Sequence, residues 1–176
     1  MNTTEILKDL GKQTGGDIYL GVVGPVRVGK STFIKKFMEK AVLPYVQDEY
    51  DKARMTDELP QAGVGKTIMT MEPKFVPNTA AHIEFDDGFK VNVRLVDCVG
   101  YIISEAKGYK DDDGIRLVKT PWSEEALPFD EAAKIGTQKV IQEHSTIGIV
   151  VTTDGTITDL AREDYIEAES EVINEL

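Results

Sequence analysis

The sequence predicts an α/β domain, a mostly parallel sheet layered between helices, on three observations. Apolar, β-branched runs at 17–23 and 146–153 lack the strict alternation of a half-exposed strand, which suits strands covered on both faces. They alternate with stretches of helical period at 31–43 and 129–144, as strand–helix–strand units do. Between the first such strand and its helix lies "GPVRVGKS", a glycine-rich loop where folds of this kind bind phosphate.

Each element follows from its own residues. Residues 3–10 read as a short helix with Ile6, Leu7 and Leu10 on one side and Thr3 or Thr4 as cap, ended by "TGG" at 14–16. "DIYLGVV" at 17–23 is the first strand. "STFIKKFMEKAVL" carries Phe33, Ile34, Phe37, Met38 and Ala41 at helical spacing, and Pro44 is expected to end it. From 45 to 79 no period holds and Pro60, Pro73 and Pro77 intervene, so a long loop is expected. "AHIEF" and "VNVRLV" around "DDGFK" predict an antiparallel hairpin. A second polar loop is expected over 101–128, then the helix at 129–144, weakened by Gly136, and the strand at 146–153. "DLAREDYIEAESEVINEL" predicts an amphipathic helix carrying Ile166, Ile173 and Leu176. One domain is expected over 1–176, and a doubly wound sheet should continue with further strands and domains after that last helix.

Composition narrows the function classes. The 176 residues include 41% hydrophobic and 7% aromatic side chains, which fits a globular domain. The 20 basic and 31 acidic residues leave a net charge of -11, the wrong sign for a general nucleic-acid binder. Seven of the acids (Asp159, Glu163, Asp164, Glu167, Glu169, Glu171 and Glu175) crowd the C-terminal segment, which reads as a solvated helix face. The single cysteine, Cys98, excludes an internal disulfide and fits a reducing cytosol. No signal-peptide pattern opens the chain, and no stretch approaches the roughly 18 apolar residues of a spanning helix.

Two stretches compete as phosphate loop. "GPVRVGKS" meets G-x-x-x-x-G-K-[ST] in full, with a strand before it and a helix after it. Gly24, Pro25, Val26, Arg27, Val28, Gly29, Lys30, Ser31 and Thr32 would line an anion cradle, with backbone N–H groups from all of them but Pro25. Lys30 would reach the β- and γ-phosphates, and the Ser31 hydroxyl would ligate Mg²⁺. "QAGVGKT" fails the same test: Pro60 stands where the first glycine belongs, no buried strand precedes it, and Pro73 shortens any helix after it. Its place between the first helix and the hairpin is that of a switch loop, with Thr67 and Thr70 as candidate sensors of metal and γ-phosphate.

Asp97, Cys98, Val99 and Gly100 form D-x-x-G at the end of a strand, where Asp97 can hold Mg²⁺ through water and the Gly100 N–H can meet a γ-phosphate. The antiparallel hairpin just before it favours the GTPase-like branch of P-loop NTPases, with one antiparallel strand and helices on both faces. Tyr101 stands where Ras-like enzymes carry a water-positioning glutamine. His82 and His144 form no metal set, Cys98 reads as a packed residue, and Asp111, Asp112 and Asp113 with Gly114 read as a solvated turn. Lys35, Lys36 and Lys40 read as a solvated face.

Four stretches, "GGDIYLGVVGPVRVGKSTFIKKFMEK", "GKTIMTMEPKFVPN", "VRLVDCVGY" and "VIQEHSTIGIVVTTDGTI", resemble the nucleotide-hydrolysing domain of the stage IV sporulation protein A family. The resemblance implies a fold of the translation-factor GTPase class, ATP rather than GTP as substrate, and Mg²⁺ as cofactor. It also implies hydrolysis coupled to self-assembly of the spore coat basement layer around the forespore, in the mother-cell cytoplasm at the outer forespore membrane. Partners would be further copies of itself, a small amphipathic membrane peptide and other coat morphogenetic proteins, the last two through regions beyond this chain. By position it makes Lys30 the loop lysine, Asp97 the metal-orienting aspartate and Thr70 the sensor, with Met71 where a second threonine stands in relatives. A ribosome-assembly type of GTPase and a degenerate, purely structural nucleotide-binding scaffold remain the alternatives.

Overall fold

The computed structural model describes residues 3–61, 72–104, 106, 108–111, 114–156 and 160–176. Its elements are α1 (Thr3–Gln13), β1 (Asp17–Val23), α2 (Lys30–Phe37), α3 (Glu49–Asp57), β2 (Lys74–Glu84), β3 (Lys90–Asp97), β4 (Lys110–Asp111), β5 (Gly114–Ile115), β6 (Leu117–Thr120), β7 (Ser123–Pro128), α4 (Phe129–Glu143), β8 (Ile147–Val150) and α5 (Ile166–Glu175). The main sheet has the order β2-β3-β1-β8. β1 runs parallel to both β3 and β8, while β2 pairs antiparallel with β3. The expected mixed α/β sheet is therefore present.

Two apolar clusters cover the two faces of the sheet. Ile18, Leu20 and Val22 of β1 join Leu7 of α1 and Ile34 and Met38 around α2. Val23 and Val96 join Phe129, Ala132, Ala133 and Val140 of α4 and Val172 of α5 on the other side. β1 is thus central and loaded on both faces, which is why its sequence does not alternate. Gly21 lets the end of α4 and the turn after it approach, because a Cβ there would collide with the Ser145 hydroxyl and stand 3.1 Å from the Val140 side chain.

Several boundaries differ from the sequence reading. α2 continues through a π-helical turn, Met38–Val42, into a 3-10 turn, Leu43–Tyr45, so Pro44 sits inside that last turn rather than ending the helix. Near the start of a helical turn its missing N–H costs nothing. The stretch 45–79, expected as loop, contains α3 and the first half of β2. Only Met55 of α3 is buried, so no apolar period announces the helix. Polar contacts hold it instead: the Asp51 N–H donates to the Asp48 cap, and Arg54 bridges Asp51 at 3.2 Å and Glu58 at 2.9 Å. In β2, Pro77 falls in the interruption of the ladder between Val76 and Ala81, on an edge strand that tolerates it.

Residues 101–128, also expected as loop, form two small antiparallel ladders, β4–β5 and β6–β7. The strand expected over 146–153 shortens to β8, whose residues are half-exposed because it pairs only with β1 among the described strands. α5 turns a different face inward than its large apolar residues mark. Ile166, Ile173 and Leu176 are 51%, 56% and 54% exposed, whereas Tyr165, Ala168, Glu169 and Val172 are buried. Small Ala168 permits close approach, and buried Glu169 is neutralised by Arg162 at 2.6 Å while accepting from the Thr153 N–H at 3.3 Å.

Candidate functional site

The glycine loop leaves β1 beside the end of β3, so the topology brings Gly24–Ser31 and Asp97–Tyr101 together at the carboxyl ends of two parallel strands. Ligands bind there in open α/β sheets. Gly24 has φ 148°, and a Cβ on it would overlap the Val151 carbonyl oxygen. Gly29 has φ 98° with open space around the position of a Cβ, so its backbone angle, not crowding, requires glycine. It caps α2 without any side-chain hydrogen bond, leaving the first N–H groups of that helix facing the loop.

Lys30 is 5% exposed, and its Nζ donates to the Pro25 carbonyl at 2.6 Å and the Gly24 carbonyl at 3.3 Å. Burial pushes its ammonium below the ordinary lysine range, and Cys98 and Asp97 pull it back up. An anion entering the loop would complete that compensation. The Ser31 hydroxyl donates to Asp97 Oδ2 at 2.6 Å. Asp97 Oδ1 is buried and finds no hydrogen-bond partner among the described residues. Burial raises the Asp97 carboxyl above its usual range, while the Ser31 hydroxyl, Lys30 and Lys74 act in the opposite direction.

That raised value has a testable sign. A carboxyl whose folded-state pKa lies above its unfolded value stabilises the fold while protonated, and loses that contribution as pH rises through the folded value. Asp97→Asn is therefore expected to raise the melting temperature by about 2–4 °C at pH 8. The gain should shrink toward pH 4, and scanning calorimetry at both values checks it.

Gly100 locks the second half of the site. Its φ is 90°, and a Cβ there would overlap the Gly24 carbonyl oxygen and stand 2.5 Å from Lys30 Nζ. The next residue fastens the two loops: the Val26 N–H donates to the Tyr101 carbonyl at 2.9 Å. The Tyr101 side chain is 3% exposed, packs among the α4 and α5 residues, and lies 5.6 Å from Lys134 Nζ. Burial, with Glu175 and Glu171 nearby, pushes its phenol far upward, so it stays protonated. It is a core residue, not a water-holder. Cys98 is likewise packed, with Sγ donating to the Val22 carbonyl at 3.4 Å and its thiol pushed up by burial.

Of the residues singled out in the sequence, Gly24 to Thr32, Asp97 and Gly100 are brought together. Thr67, Thr70 and Met71 lie outside the described residues, as do Asp112 and Asp113. His82 contacts Asn92, and His144 meets the Phe75 ring edge-on, both away from the loop. Sequence reasoning missed Lys74, which the β2–β3 ladder sets opposite Asp97. An unbroken hairpin register would set Pro77 opposite Asp97; the interruption between Val76 and Ala81 shifts that partner to Lys74.

These features define an α/β protein with a candidate phosphate-binding loop at the end of its central strand. Comparison with known proteins makes the class specific. Residues 1–176 match the family described as Stage IV sporulation protein A, ATPase domain, and the chain belongs to that family. It is 66% identical over 176 residues to Stage IV sporulation protein A of Bacillus subtilis (strain 168), covering all of this chain and 36% of that protein. The corresponding protein of Bacillus anthracis is 64% identical over the same length, again covering all of this chain and 36% of the relative. That of Clostridioides difficile (strain 630) is 58% identical over 171 residues, 97% of this chain and 35% of the relative. This chain therefore spans about a third of the length of the curated relatives it matches. No solved structure matches it. Among the described residues, no helix is long and apolar enough to cross a membrane.

Proposed function

We propose that this chain is the P-loop nucleotide-hydrolase domain of a sporulation protein, an Mg²⁺-dependent ATPase of GTPase-like fold whose hydrolysis drives self-assembly of the spore coat basement layer. The observation that carries the reading is the Ser31–Asp97 pair, with one carboxylate oxygen buried and unpartnered beside the buried Lys30. A serine hydroxyl and a carboxylate oxygen are hard donors suited to Mg²⁺, and the orphaned Oδ1 is a group that needs a partner. The residues present fit the ion.

The roles follow from chemistry. Lys30 and the loop N–H groups hold the phosphates and offset their charge. Ser31, Asp97 and Thr70 would hold the metal, and the Gly100 N–H would meet the γ-phosphate. Bound Mg²⁺ shields phosphate charge and makes the γ-phosphoryl group a better electrophile. Family membership supports ATP as substrate; a second copy of the protein as partner and action at the outer forespore membrane surface in the mother cell complete the proposed reading. An amphipathic membrane peptide and other coat morphogenetic proteins would be its further partners.

Phosphate release with ATP and with GTP, with and without Mg²⁺, on this chain and a longer one, tests the reading. Mg²⁺-dependent release from ATP at least about tenfold faster than from GTP is expected, a discrimination of about 1.4 kcal/mol. A GTP preference would identify a GTPase, and inactivity of both chains toward both nucleotides would leave a structural scaffold.

A further inference from the structure

We propose that Arg27 is an arginine finger supplied by the phosphate-binding loop itself, a catalytic residue acting on the same phosphates, and this rests on the hydrolase reading above. Among the described residues, Arg27 is the sole non-glycine residue with positive φ, at 64°. Glycine or asparagine would take that left-handed conformation more easily, so the loop holds an arginine at a backbone cost. Strain of this kind gathers at functional sites.

The direction of the side chain is informative. Pro25, Val26 and Val28 are all buried, the two valines to 2% and 8% exposure, while Arg27 between them is exposed. The loop thus turns its apolar residues into the core and its one guanidinium outward, on the loop that cradles phosphate. Arginine stays charged and offers a planar fork of N–H donors that matches phosphate oxygens.

The reaction creates a need for that charge. A water oxygen bonds to the γ-phosphorus while the bond to the β–γ bridging oxygen breaks, and the bonding pair leaves on that oxygen as ADP. One water proton stays on the released phosphate and the other passes to solvent. Negative charge accumulates on the leaving oxygen, where arginine fingers act. Tyr101 contributes nothing there, since its side chain is buried among α4 and α5. Lys30 faces the loop carbonyls, and Lys74 stands across the ladder from Asp97. Arg27 is also adjacent to Val26, whose N–H is tied to the Tyr101 carbonyl, so movement of the D-x-x-G turn would be passed directly to the finger.

The test compares the intact chain with Arg27→Gly and Arg27→Lys. Glycine relieves the left-handed strain, and a melting curve on each variant separates a loss of folding from a loss of turnover. Arg27→Gly is expected to remain folded and to bind ADP within about threefold of the parent. Its ATP turnover should fall at least about 10²-fold, the usual effect of removing one transition-state donor. Its affinity for ADP with aluminium fluoride, a mimic of the transferring phosphoryl group, should fall by a similar factor. Arg27→Lys should recover part of both losses. Turnover by Arg27→Gly within twofold of the parent, or unchanged aluminium fluoride affinity, overturns the finger while leaving the hydrolase reading intact. No hydrolysis by the parent, despite ADP binding, overturns the hydrolase reading and the finger with it.

Discussion

Lys30→Ala is expected to lower ATP hydrolysis by about 10³-fold and to weaken nucleotide binding. The ammonium is buried under the loop, held by two carbonyls at 2.6 and 3.3 Å. Removing it takes away a buried positive charge that a polyphosphate in the loop would meet. The effect on folding should be small, because two opposing terms change together. The variant frees the Gly24 and Pro25 carbonyls of a donor but also relieves the burial of a charge, which already pushes Lys30 below its usual pKa. Phosphate release, nucleotide titration and a melting curve on the same preparation separate these contributions. Unchanged turnover would remove the site assignment.

Gly100→Ala is expected to be the most damaging single-methyl change in the site. The added Cβ would meet the Gly24 carbonyl oxygen and Lys30 Nζ, and φ 90° is a conformation that alanine avoids. Backbone strain and overlap together should cost about 2–4 kcal/mol in urea unfolding. Relief requires the D-x-x-G turn to withdraw from the glycine loop, so hydrolysis should fall as well. Gly88→Ala supplies the comparison. Its φ is 79°, but nothing lies within 4 Å of the added carbon, so only the conformational cost of about 1 kcal/mol is expected. Equal losses at the two positions would show that contact with the loop adds nothing.

The parts of the site legible in sequence are those whose chemistry demands particular letters at particular spacings. Gly24 and Gly29 stand where the backbone needs positive φ, Lys30 and Ser31 where a helix begins, and Asp97 and Gly100 where a strand ends. Local rules also exposed β1, α4 and the β2–β3 hairpin. They failed at α3, which is held by Asp48, Asp51, Arg54 and Glu58 rather than by an apolar stripe. They failed again over 101–128, where the ladders are short and mostly exposed. Periodicity detects burial, and these elements bury little.

α5 and Tyr101 mark the boundary between the two kinds of information. The sequence by itself determined the α/β class, the strand–loop–helix order and the residue types of the phosphate loop, because these depend on backbone angles and nearby spacing. Only the tertiary structure decided that Tyr101 turns into the core, that α5 buries Ala168 and Val172 instead of Ile166 and Ile173, and that Ser31 meets Asp97 across 66 residues. It also separated Arg27 from its buried neighbours. Each of those outcomes depends on which face of one element meets another, and that is set by packing between segments distant in the chain.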